Sequence, residues 1–401
     1  MHLFRELRVN EAASRTDAPI SSLQVPTLMS HLSRTRFSLI RKPLALAAAT
    51  LLLSAIALPA AATNWWNPTP ALTIGTASVS VRDKGALGNG VHDDTAAFQA
   101  AINALPSTGG TVVVPPGTYM INALTSVRLR SKMRLKLDPL AQVKAIANSS
   151  DRYIMFKLWN LNNVEITGGQ IIGERVAHVG TTGQWGYGVA IQGSSKVFVH
   201  DISISNCWGD GVFIGTSTSS GATVKASDVT LNHVVSTNNR RQGLSITPAQ
   251  RVYVVNSTFT GQNGTAPQAG IDIEPGKLGA TYLRIENSNL SNNVGNGLEL
   301  HAYVANLDVV GSTLKNNHGY GALSVSATFG NLVGNTFNQN GLAGVGLNST
   351  THDFAVVNNS ITFNSTRYVS PTSIKGSATR DLSVASTTSN ITLSGNLLTG
   401  Q

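Results

Sequence analysis

The sequence predicts an all-β chain wound as a right-handed parallel β-helix, a solenoid with one N-terminal capping helix. Three observations predict it: an apolar alternation led by glycine that recurs along the chain, a composition poor in charge, and one short helical pattern ahead of the repeat. The recurring segments are GYGVAIQG from Gly186, GDGVFIGT from Gly209, RQGLSITP from Arg241, QAGIDIEP from Gln268 and GNGLELHA from Gly295. Their shared glycines, Gly188, Gly211, Gly243, Gly270 and Gly297, are spaced by 23, 32, 27 and 27 residues. After each glycine the first and third residues are apolar, as in Val189 and Ile191 or Leu298 and Leu300. The second and fourth vary, so one strand face is buried and the other is wet. Such a unit is shorter than the roughly 40–50 residues of a propeller blade, and it stacks as coils about 4.8 Å apart. A copy near Gly321 slips register by one residue, and Gly344 resumes it. Asn238, Asn239, Asn292, Asn293, Asn316 and Asn317 read as turn ladders, because Asn tolerates left-handed backbone.

Ahead of the repeat, Asp93 or Asp94 can cap a helix running through Ala96, Phe98, Ala101 and Ile102. The strand Thr111–Val114 follows. Together they form a capped first turn that covers the open end of the sheet. Residues 63–77, with Trp65, Trp66, Pro68 and Pro70, read as a linker or an arm on the barrel, and residues 78–401 as the β-helix domain.

The N-terminus reads as an address. Leu44–Leu58 is apolar, follows Arg34, Arg36, Arg41 and Lys42, and precedes Ala60-Ala61-Ala62. That is the pattern of a signal peptide over residues 29–62, too short to span a bilayer comfortably. Met29 then reads as the start and residues 1–28 as a misplaced leader. A signal anchor is the alternative. The expectation is a secreted or periplasmic monomer with no stable membrane insertion after cleavage.

Composition narrows the function classes. Only 12% of the 401 residues are charged, which excludes a coiled coil or a polyelectrolyte tail. One cysteine, Cys207, excludes a disulfide framework and a thiolate zinc cluster, and reads as a core residue. Outside residues 1–62 the chain holds 22 basic against 17 acidic residues. That balance permits an acidic partner, and no basic run with interleaved aromatics points to nucleic acid.

DKGALGNGVHDDTAAFQAAINAL at Asp83–Leu105, followed by GGTVVVPPGTY at Gly109–Tyr119, resembles the N-terminal signature of the pectate-lyase superfamily. That superfamily includes polygalacturonase-like enzymes, β-helix lyases and tailspikes. The repeats are also similar to β-helix alginate lyases and mannuronan C5-epimerases. The resemblance implies a β-helix acting on polysaccharide. The epimerase motif Tyr-Gly-x-Asp-Pro-His is matched in part by Gly270 and Asp272, with Ile273 and Glu274 where Pro-His stands. Of the polygalacturonase paired aspartates, WGDG keeps Asp210 alone.

The outward positions form axial rows. The second-position row reads Ala190, Phe213, Ser245, Asp272, Glu299, and the fourth reads Gln192, Gly215, Thr247, Glu274, His301. Just before the glycine the row reads Tyr187, Asp210, Gln242, Ala269, Asn296. Asp272, Glu274, Glu299 and His301 therefore form a two-by-two patch, with Asp210, Arg240 and Arg241 one or two coils earlier. Trp185, Tyr187 and Trp208 lie at that end and, with Arg240, Gln242 and Tyr303, are the expected substrate contacts. His92, His178, His200 and His233 look isolated. Stacked carboxylates repel, so one of them should hold its proton unusually strongly unless a cation intervenes.

The first reading is a lyase cleaving a uronic-acid polysaccharide, such as alginate or pectate, by β-elimination. Arg240 or Arg241 neutralises the substrate carboxylate, or Ca²⁺ on Asp272, Glu274 and Glu299 does so. His301 is then the base, and Tyr187 or Tyr303 the acid. A glycoside hydrolase using two of the three carboxylates is the alternative, since Asp272 and Glu274 have Cα atoms about 6.5–7 Å apart on one strand. A C5-epimerase shares the lyase's first step. A glycan-binding module without catalysis is the reading from another class.

Overall fold

The computed structural model describes residues 64–367 and 381–399. The leader, signal peptide and cleavage site expected before residue 63 lie outside the described residues. The chain winds as a parallel β-helix. One face is a ten-stranded parallel sheet in chain order. Its strands are β1 (Val127–Arg128), β2 (Arg152–Trp159), β3 (Trp185–Gln192), β4 (Val212–Gly215), β5 (Leu244–Ile246), β6 (Ile271–Ile273), β7 (Leu298–Leu300), β8 (Ala322–Val325), β9 (Val345–Asn348) and β10 (Leu382–Val384). A 22-stranded sheet takes the other coil strands, and Ser217–Ser219 and Ala222–Val224 form a separate antiparallel pair. Among the described residues no helix is long and apolar enough to cross a membrane.

Register follows the glycine alignment. Val212 pairs with Leu244, Leu244 with Ile271, and Ile271 with Leu298, and each is buried. Burying such a side chain stabilises the fold by about 1.5–3 kcal/mol. The stack of glycines has a steric cause. A Cβ on Gly243 would lie 2.6 Å from the Gly270 carbonyl oxygen, and one on Gly270 would lie 2.7 Å from that of Gly297. The expected slip at Gly321 does not occur: Leu298 pairs with Ala322, and a Cβ on Gly297 would meet the Gly321 oxygen at 2.6 Å. Ala322 and Ser324 take the inward positions there, which leaves the larger Leu323 and Val325 facing outward and makes the sequence look shifted.

The asparagines close the coils as expected. Asn238, Asn292 and Asn316 have left-handed φ, while Asn239, Asn293 and Asn317 are buried. Asn317 Oδ1 accepts from Asn293 N–H at 3.1 Å, and Asn340 Oδ1 accepts from Asn317 N–H at 3.1 Å. This ladder satisfies backbone donors that the turns would otherwise bury unpaired.

The helix α1 (Thr95–Asn103) buries Ala97, Phe98, Ala101 and Ile102, with Phe98 edge-on to Tyr119 at 5.4 Å. Its two flanking aspartates divide the work. Asp93 Oδ1 accepts from Thr95 N–H at 3.0 Å, whereas Asp94 takes the N–H groups of Leu87 at 2.8 Å and Gly88 at 3.1 Å. The segment before residue 77 is an arm rather than a free linker. Arg284 stacks on Trp66 at 4.5 Å, Asn232 donates to the Pro68 carbonyl at 2.9 Å, and Thr73 N–H donates to Asn163 at 3.0 Å. The arm thus crosses several coils of the larger sheet.

Candidate functional site

The outward rows meet as the alternation requires: Ser245 pairs with Asp272, and Asp272 with Glu299. Asp272 is only 2% exposed. His301 leans back from the following coil and places Nε2 3.2 Å from Asp272 Oδ1 and 3.3 Å from Glu299 Oε1. The contact is shared, so neither arm is an aligned hydrogen bond, and Asp272 Oδ1 is left without an aligned donor. The Asp272 carboxylate first, and Glu299 second, push the His301 imidazole up to about 10. It is therefore an imidazolium at neutral pH. Among the described residues none bonds its Nδ1, which leaves that N–H free to meet a ligand.

Glu299 is fixed from its other side. Asn296 Nδ2 donates to Glu299 Oε2 at 2.9 Å, and Asn296 Oδ1 accepts from Tyr320 N–H at 2.7 Å. That bond sets the amide's orientation. Asn296 stands in the row before the glycines, and its position one coil beyond Asp272 was the signal for it in the sequence.

A second polar chain runs toward the earlier coils. Gln242 Nε2 donates to Asp272 Oδ2, and Arg241 donates to Gln242 Oε1 at 2.7 Å. Arg241 also pairs with Asp210 at 3.2 Å and, more loosely, with Glu274 at 3.9 Å. Ser245 Oγ donates to Asp210 Oδ2 at 2.8 Å. Burial raises Asp210 to about 6 against the pull of Arg241. Asp210 is fully buried, so it supports Arg241 and Ser245 from beneath and does not face a ligand.

The two-by-two patch is therefore divided. Asp272, Glu299 and His301 converge, with their donor atoms all within 4.8 Å of one another. Glu274, with its side chain 57% exposed, turns to Arg241 instead. The oxygen-only Ca²⁺ set of Asp272, Glu274 and Glu299 is not assembled, because an imidazole nitrogen occupies the third place. His301, expected as the base, lies between two carboxylates that favour its protonated form.

The expected substrate contacts fare unequally. Trp208 is 7% exposed, stacked on His178 at 3.7 Å, with the Arg240 guanidinium 4.0 Å from its ring centroid. Arg240 donates to the carbonyls of Gly183 at 2.5 Å and Thr181 at 2.9 Å. Both therefore build the wall that holds the loop before β3: the Arg240 guanidinium is engaged by backbone carbonyls, and the Trp208 ring is covered on its faces by His178 and Arg240. Tyr187 is buried and stacks on Phe213 at 4.7 Å, and burial pushes its phenol up. Trp185 is half-buried, with Arg152 4.9 Å from its ring. Tyr303 is exposed in a left-handed turn, and among the described residues it bonds none of the cluster. Cys207 is fully buried. The four histidines that look isolated each meet a carboxylate: His92 that of Asp94 at 3.0 Å, His178 that of Glu174 at 2.9 Å, His200 that of Glu165 at 3.1 Å and His233, more loosely, that of Asp201 at 3.8 Å.

Fold and site define a right-handed β-helix protein with a carboxylate–imidazole cluster on the outer face of one sheet. The family model described as "Right handed beta helix region" matches residues 145–277, which includes Asp272 and stops short of Glu299 and His301. The chain is 32% identical over 282 residues to the uncharacterized protein YclG of Bacillus subtilis (strain 168), covering 62% of this chain and 47% of that protein. It thus spans about half of that relative's length. The A-module of mannuronan C-5 epimerase AlgE6 from Azotobacter vinelandii superposes with a TM-score of 0.58 at 18% identity, over 80% of this chain and 100% of the module. The endo-xylogalacturonan hydrolase from Aspergillus tubingensis gives 0.58 at 17% identity, over 80% of this chain and 92% of the enzyme. At these identities the structural likenesses show a shared fold alone.

Proposed function

We propose that this protein hydrolyses glycosidic bonds in an extracellular polysaccharide, with His301 as proton donor and Glu299 as the reacting carboxylate. One observation carries the reading: the His301 ring is held against Asp272 and Glu299 through Nε2 while no described residue bonds its Nδ1. In the step that breaks the C–O bond, Nδ1 gives its proton to the leaving glycosidic oxygen. Glu299, fixed by Asn296, faces the positive charge developing at the anomeric carbon and takes a proton from the incoming water. Asp272 is a positioning residue, which keeps Nε2 protonated and the ring oriented. Secretion rests on the N-terminal address pattern. The substrate class is proposed by analogy with proteins of the same fold, an epimerase and a hydrolase by name.

A cation-dependent lyase is the second reading, favoured by the unaligned Asp272 Oδ1 and the compact donor set. Asp272, Glu299 and His301 would hold a divalent cation, and two oxygens with one nitrogen suit Zn²⁺ or Mn²⁺ better than Ca²⁺. Such an ion would supply the charge that neutralises a uronate carboxylate, which the acidic cluster otherwise repels. The test is turnover of alginate, pectate, xylan and neutral glucans, followed by reducing ends together with the absorbance of a new C4–C5 double bond. Reducing ends alone support hydrolysis. Both signals rising together, and both lost with chelator, replace it with the lyase.

A further inference from the structure

The larger sheet carries a feature that the cluster does not use. At one corner every coil places a residue in left-handed backbone, and Tyr282, Asn306, Phe329 and Asp353 occupy that place in four successive coils, with φ of 58°, 57°, 54° and 56°. Earlier and later coils put Asn163, Lys196, Asp228, Arg251 and Asn390 there. Asn and Asp accept this conformation readily, whereas a bulky aromatic in it is strained. Tyr282 and Phe329 nevertheless hold it while 45% and 52% exposed, so their rings gain little from burial. With Trp65 of the arm they line a groove of about 350 Å³.

The remaining lining is polar and acidic. Asn331 donates to Asp308 at 2.9 Å, Arg284 reaches Asp308 at 3.3 Å, and Asp353 is paired with His352 at 2.6 Å. Tyr282 and Phe329 stand two coils apart, about 9.6 Å. That is close to the repeat of two sugar rings in an extended chain. Aromatic faces at that spacing, beside amide and carboxylate acceptors, match the apolar faces and hydroxyl edges of a glycan. The lining holds no Lys or Arg, and the neighbouring Arg284 is engaged by Asp308 and Glu286, so the groove offers nothing to the carboxylates of a polyuronate.

We propose that this groove is a second, non-catalytic glycan-binding site that takes an uncharged oligosaccharide running along the solenoid axis. It lies on the 22-stranded sheet, whereas the carboxylate–imidazole cluster lies on the ten-stranded one, so the proposal stands without the catalytic reading.

The experiment is calorimetric titration of the intact protein with cellohexaose, β-1,4-mannohexaose, xylohexaose and chitohexaose, and with an oligogalacturonate hexamer. Each is repeated on Glu299→Gln, to separate the cluster, and on Tyr282→Asn and Phe329→Asn. The Asn variants install the residue that the same corner uses in other coils, so their melting temperatures should hold or rise. The expected result is binding of an uncharged hexamer that survives Glu299→Gln and weakens at least tenfold in each Asn variant. Three results would overturn the proposal: no binding of any uncharged hexamer, binding unchanged in folded Tyr282→Asn and Phe329→Asn, or a groove that prefers the oligogalacturonate.

Discussion

His301 sets its Nε2 3.2 Å from Oδ1 of Asp272, a carboxylate in the preceding coil that is almost wholly buried. The two residues are 29 apart in sequence and meet only because one coil separates their strands. A buried carboxylate against an imidazole favours the protonated ring and fixes its position.

The pairing sets the pH dependence of activity. A proton donor must be protonated, so activity is present below its pKa and lost above it. With His301 at about 10, the basic limb of kcat/KM should lie near that pH, and an acidic limb should mark protonation of the carboxylate base. Asp272→Asn removes the larger cause, and should move the basic limb down by about 1–2 pH units. A pH–rate profile of both proteins checks this, and a purely structural Asp272 would leave the limb where it is.

The same shift appears in stability. The folded His301 value of about 10 lies above the ordinary 6.5, so the folded state binds the proton more tightly. Its contribution is fully present below pH 6.5 and disappears as pH rises through about 10. After discounting for the partial exposure of the ring, His301→Gln should cost about 2 kcal/mol at pH 6. The difference should close by pH 11, and urea unfolding of wild type and variant at the two pH values measures it.

The carboxylates should not be equivalent. Glu299 touches His301 and is fixed by Asn296, whereas Glu274 lies at the rim, 3.9 Å from Arg241. Glu299→Gln should lower kcat by about 100-fold or more, the range for a group that moves a proton. Glu274→Gln should cost less than about tenfold and act mainly on KM. Steady-state kinetics on one substrate decide between them.

The glycine stack gives a prediction on folding. A Cβ at Gly270 would sit 2.7 Å from a backbone oxygen, with no flexible side chain to yield. Gly270→Ala should cost about 3 kcal/mol or more. Gly276 has a φ of 54° and nothing within 4 Å, so Gly276→Ala should cost only the left-handed backbone, about 1 kcal/mol. Denaturant midpoints of the two variants give the comparison.

The rows on the ten-stranded sheet were legible because a parallel solenoid turns sequence alignment into spatial adjacency: Ser245, Asp272 and Glu299 are neighbours by register alone. What rows cannot show is side-chain direction. Glu274 and His301 share a row, yet one turns to Arg241 and the other to Asp272. Insertions between coils were equally opaque. The loop carrying Thr181 and Gly183 folds back on Arg240 and Trp208, and it converts two expected sugar contacts into wall. Leu323 misled for a third reason: it is an apolar residue on the wet face, and pattern alone read it as a shifted core.

The most direct test of the site is the product of one turnover mixture. Wild type and Glu299→Gln are incubated with the same polysaccharide panel, with and without chelator, and reducing ends are read beside ultraviolet absorbance. Hydrolysis at the cluster gives reducing ends from wild type with no new absorbance, indifference to chelator, and near-silence from Glu299→Gln. Full activity in Glu299→Gln, or absorbance that rises with the reducing ends and vanishes with chelator, would contradict it.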